Sequence, residues 1–239
     1  MDEYFIPEGW SPAEPMERKI PSKFKKQIHP WIKQLLQADP AKAREIIRDR
    51  LESISDERLL PIRDRLLEFR EFGVTFCAQE NDNIAQYVGF GGTEWDPFYL
   101  PTPVEKNLVV KALNLLGYSR IDGIQNFIEA YDGLRNLPPG CAGNFSPIAE
   151  WRVLKEHSFF VHIDDEKLDA RWLDATPLYY GPNGDILLLT SKNELGWYCI
   201  ETQNVKRRKG KFADFIEYYC SSAEAVDSWS DPASIFKNR

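Results

Sequence analysis

The chain has 239 residues, 43% hydrophobic and 13% aromatic with seven Trp, enough apolar side chain to bury a core and too much for a disordered chain. Its formal net charge of -7 sets it against a phosphate backbone, so direct nucleic-acid binding is not expected. Cys77, Cys141, Cys199 and Cys220 form no Cys-x-x-Cys pair, which argues against a zinc knuckle or a disulfide scaffold and for reduced thiols in a cytoplasm.

Residues 1-22 carry Pro7, Pro12, Pro15 and Pro21, a composition that predicts an extended arm, with Phe5, Ile6 and Trp10 to pin it. No basic region followed by an apolar run opens the chain, and no run is long enough to span a bilayer, so a cytoplasmic protein without membrane contact is expected. From 23 to 72 the period is helical. Phe24, Ile28, Ile32 and Leu35 recur at helix spacing, and Asp39-Pro40 then supplies an N-cap and a first-turn proline. Ile47, Leu51 and Ile54 line the second helix; Ser55 with Asp56 and Glu57 opens a third, lined by Leu59, Ile62, Leu66 and Phe69 up to Gly73.

After Gly73 the period changes. Val74-Thr75-Phe76-Cys77 and Tyr87-Val88-Gly89-Phe90 predict short strands, and the turn-rich residues 91-103 mark a candidate boundary. The first 73 residues are balanced, with 14 basic and 14 acidic side chains, so the acidity lies in the remainder, 16 against 23. Beyond Val104 come a helix with Leu108, Val109, Ala112 and Leu115 on its apolar face, and a second with Ile124, Phe127, Ile128 and Tyr131 inward, closed by Asp132-Gly133. Strands are predicted near Phe159 to Ile163, Leu178 to Tyr180, Ile186 to Leu189 and Trp197 to Ile200. A last helix carries Phe212, Phe215, Ile216 and Tyr219. The expected organisation is an arm over 1-22, a helical unit with short strands over 23-100, an α+β domain over 101-225 and a tail over 226-239.

Asp185 follows the turn Pro182-Asn183-Gly184 and precedes Ile186-Leu-Leu-Leu189. A phosphate-cradling loop needs a helix after its glycines, whereas this one leads into a strand, so Asp185 is read as a hairpin brace accepting hydrogen bonds from turn amides. Gly89-Phe-Gly-Gly92 is read as a turn for the same reason.

The order of parts from Val104 to Ser222 resembles the SUKH superfamily of fungal cell-wall-assembly regulators and bacterial immunity proteins. The resemblance rests on EKNLVVKALNLLGYSRIDGIQNFIEAYDGL, on Trp151-Arg-Val-Leu154, on PLYYGPNGDILLLT and on KFADFIEYYC. Ser119-Arg-Ile-Asp122 departs from the usual Leu-Pro opening of the second helix, and the first hundred residues have no counterpart. What the resemblance implies is a central antiparallel sheet with packed helices that binds other proteins, with no cofactor, metal or shared catalytic residue.

Two functional classes then stand side by side. The first is a noncatalytic binder of the immunity type, neutralising a basic toxin effector through an acidic face at Asp164, Asp165 and Glu166, with Trp95 and Trp172 as candidate interface anchors. A regulatory scaffold of the cell-wall type belongs to the same class. The second is a small metal- or cysteine-dependent hydrolase using His162, Asp164 or Cys141, with His157 as another available base. Lys206-Arg-Arg-Lys-Gly-Lys211 is the basic cluster of the acidic half, and either a solvated hairpin or loop or a recognition element for phosphate or an acidic protein surface.

Overall fold

The computed structural model describes residues 22-68, 71-78, 84-91, 98-136, 144-157, 168-180 and 185-221. A 3-10 turn, Ser22–Gln27, leads into α1 (Pro30–Gln37), α2 (Pro40–Glu52) and α3 (Leu60–Glu68). Asp39 caps α2 by accepting from the Lys42 amide at 2.9 Å, with Pro40 at the first helical position. His29 caps α1 through Nδ1, which accepts from the Trp31 amide at 3.2 Å. The third cap falls on Asp56, which holds a 3-10 turn, Glu57–Leu59, ahead of α3.

Three strands follow, β1 (Glu71–Ala78), β2 (Ile84–Gly91) and β3 (Phe98–Pro101). Then come α4 (Lys106–Leu115), α5 (Ile124–Tyr131) and the short strands β4 (Arg135–Asn136) and β5 (Asn144–Phe145). The chain continues through α6 (Ala170–Leu173), β6 (Thr176–Tyr180), β7 (Ile186–Leu189), β8 (Leu195–Cys199), β9 (Asn204–Arg208) and α7 (Phe212–Ser221). The fold is α+β. Every strand pairs antiparallel with its chain neighbour, giving the order β1-β2-β3-β4-β5-β6-β7-β8-β9. The two-residue strands β4 and β5 join a three-stranded part to a four-stranded part. β3 lies where composition marks a boundary, and it carries the sheet across that point by pairing with both β2 and β4.

Alternation along β7 and β8 divides two cores. Leu187, Leu189, Leu195 and Trp197 join the main core under α1 to α5 and α7, while Ile186, Leu188 and Tyr198 join a smaller one with Leu154, Leu168 and Trp172. Burial of both faces is why Ile186 to Leu189 reads as an unbroken apolar run. The register slips between Pro177 and Tyr179, a bulge that accommodates the strand proline.

The helices of 22-68 share the main core. Arg50 of α2 donates to the Pro101 carbonyl at 2.6 Å with its guanidinium 4.5 Å from the Trp31 ring centre. Arg58 pairs with Asp56 at 2.7 Å and with Asp122, just before α5, at 3.0 Å. The Tyr131 hydroxyl donates to the Leu59 carbonyl at 2.9 Å.

On α4 the expected apolar face is rotated. Val109 and Leu113 are buried, with Ala112 and Leu116 packed beside them, but Leu108 is 54% and Leu115 78% exposed. More than half of this helix is apolar, so two stripes are available, and packing on α5 selects the one through Val109 and Leu113.

Candidate functional site

A set of buried and half-buried polar side chains gathers around residues 144-157. Asp132, at the C-terminal end of α5, is 6% exposed and accepts from the Ile148 amide at 2.6 Å. Burial pushes its carboxyl up to about 7, with the neighbouring Glu150 adding to the rise and Arg50 opposing it. Gly133 follows with φ +69°, and a Cβ there would come within 2.9 Å of Pro147, so the Asp-Gly pair fixes the exit from α5.

Tyr180, at the end of β6, meets His157 Nε2 at 3.2 Å. Burial pushes the phenol up to about 12, and the Ser146 hydroxyl beside it opposes the rise. His157 is held below its usual range by burial and by Arg152. The phenol stands between Ser146 and the imidazole, and at about 12 it is poorly matched to carry a proton at neutral pH. What this arrangement does is brace: it ties the turn after β5 and the segment ending at His157 to β6, and the Trp151 indole adds a 2.9 Å bond to the Ser146 carbonyl.

Asp185 is 5% exposed and spans a hairpin. Its carboxylate accepts from the Trp197 indole and from the Ile200 amide, each at 3.0 Å. These donors lie on β8 and just past it, farther than the turn amides that the sequence suggests, because the hairpin brings the end of β8 back beside the start of β7.

The partner-binding set divides. Trp172 is 3% exposed and fills the smaller core, where its ring would lie 2.6 Å from a Cβ on Gly196; it is a core plug and presents no anchor to a partner. Trp95, Asp164, Asp165, Glu166, His162 and Cys141 lie outside the described residues, as does the expected strand near Phe159 to Ile163. The basic cluster is found on a strand: Lys206, Arg207 and Arg208 belong to β9. Among the described residues no group of three or more His, Cys, Asp or Glu could hold a metal ion, and no helix is long and apolar enough to cross a membrane.

Two surfaces remain. One is the outer side of α4, where Leu108 and Leu115 flank the exposed Lys111. They escape sequence reasoning because their stripe is as apolar as the buried one. The other is β9. No protein-family model, curated protein or solved structure matches the chain.

Proposed function

We propose that the chain is a noncatalytic protein-binding protein of the immunity type, acting by occupying a partner toxin, in keeping with the SUKH-like order of its second half. The observation that carries the reading is α4: of the four exposed large hydrophobics among the described residues, Leu108, Val110 and Leu115 sit on this one helix. Scattered apolar side chains are ordinary on a surface, but a pair one heptad apart on a rigid helix is the pattern of a helix presented to another protein. Ser146, His157 and Tyr180 work as a brace, which supports binding over catalysis. The net charge of -7 favours a basic partner by raising the association rate.

The test is co-expression of the chain with the product of the adjacent gene. Rescue of growth and co-elution of the two proteins are expected. Leu108→Glu with Leu115→Glu should abolish both at an unchanged melting temperature. Failure of the wild-type chain to rescue or bind overturns the reading, and so does a bound metal accompanied by hydrolytic turnover.

A further inference from the structure

β9 is the last strand of the sheet, paired through Leu195↔Arg208 to Cys199↔Asn204 with β8, and none of the described residues pairs its outer edge. An open edge offers a row of backbone donors and acceptors to any extended segment. This one is held firmly. Val205 packs into the smaller core beside Trp172 and Gly196, and Glu194 joins Arg207 of β9 to Arg171 of α6. The strand ends at Arg208, and the chain turns at Gly210, φ +111°, beside which the Lys211 amide donates to Asp214 Oδ2 at 2.6 Å.

The charge on this edge is opposite to that of the rest of the chain. Lys206, Lys209 and Lys211 are exposed, and Arg207 is 59% exposed even with Glu194 beside it. Lys206 and Arg207 are consecutive, so they stand on opposite faces of the sheet. A second copy of the same strand would bring like charges into register, which disfavours self-pairing. An acidic strand would meet a cation on each face. A nucleic acid gains less here, since residues 204-211 offer no aromatic platform for bases and its phosphates cannot use the backbone ladder. We propose that the outer edge of β9 is a docking site for an extended acidic segment of a partner protein, which adds to the sheet as a tenth strand. The proposal stands independently of α4.

The probe is a synthetic ten-residue peptide alternating Glu with Val and Thr, carrying a fluorophore and titrated onto the full chain at low salt. Saturable binding is expected, with slowed hydrogen exchange at the β9 amides. Lys206→Glu with Lys209→Glu should weaken it about tenfold at an unchanged melting temperature, and N-methylation of alternate peptide amides should abolish it. Absence of binding overturns the proposal. Equal binding of the N-methylated peptide does so too, by reducing the contact to charge alone. So does displacement of the peptide by a single-stranded oligonucleotide of equal length, which would make the edge a nucleic-acid surface.

Discussion

Two buried carboxylates show how one residue type takes different roles from its surroundings. Asp185 satisfies a buried indole and a strand-end amide, so Asp185→Ala leaves both donors without their acceptor and should cost about 2 to 3 kcal/mol in chemical denaturation. Binding of the partner proposed above should survive in the folded fraction. Asp132 behaves differently, because burial raises its carboxyl from 3.8 to about 7. A raised acid favours the protonated folded form, so its contribution is present below about pH 4 and is lost as pH rises towards about 7. Asp132→Asn keeps an acceptor for the Ile148 amide and should flatten the pH dependence of the unfolding midpoint across that window; an unchanged slope would show that the carboxyl does not titrate there. Gly196 carries no charge but is as constrained. Because a Cβ would lie 2.6 Å from both Trp172 and Val205, Gly196→Ala should cost about 1 to 3 kcal/mol, read as a lowered melting temperature.

At the scale of elements, caps and periods were legible and rotations were not. Asp39-Pro40 announces α2 because capping is local chemistry, and Ile124, Phe127, Ile128 and Tyr131 announce the inner face of α5 because polar residues bound that stripe. On α4 the apolar residues run past one stripe, so the choice between Leu108 and Val109 waits on the neighbour that packs there. Leu108→Ser with Leu115→Ser should therefore leave the melting temperature within about 2 to 4 °C of wild type, since each exposed substitution stays near ±0.5 kcal/mol, whereas Val109→Ala should lower it clearly. The strand character of 204-208 was hidden for another reason. Lys and Arg are weak strand formers, and β9 exists through pairing with β8 and burial of Val205, both tertiary effects. The brace of Ser146, His157 and Tyr180 draws on residues up to 34 positions apart, which no local spacing signals.

Across the whole molecule the helices of 22-68 and the elements after 101 share one core. Arg58 with Asp56 and Asp122 closes part of the seam; hydrogen bonding to Arg58 holds the Asp56 carboxyl well below its usual range. A depressed acid contributes stability above about pH 4 and loses it as pH falls further, so Asp56→Asn should reduce stability at pH 7 and blunt acid unfolding. Limited proteolysis should release no stable fragment covering 22-68. α7 closes the same core against α3, α5 and the turn Glu57–Leu59. Its Phe212, Phe215 and Ile216 are at most 1% exposed, and at roughly 1.5 to 3 kcal/mol each their removal would rival the stability of a typical domain. A chain cut after Lys211 should lose its cooperative unfolding transition. The sheet, in contrast, pairs each strand only with its neighbour along the chain, so on the ribosome every hairpin can form as soon as its second strand emerges. The core must wait for the last helix. Between those two moments the nascent protein holds a paired sheet over an open apolar floor, and that interval is when a chaperone would have its purchase.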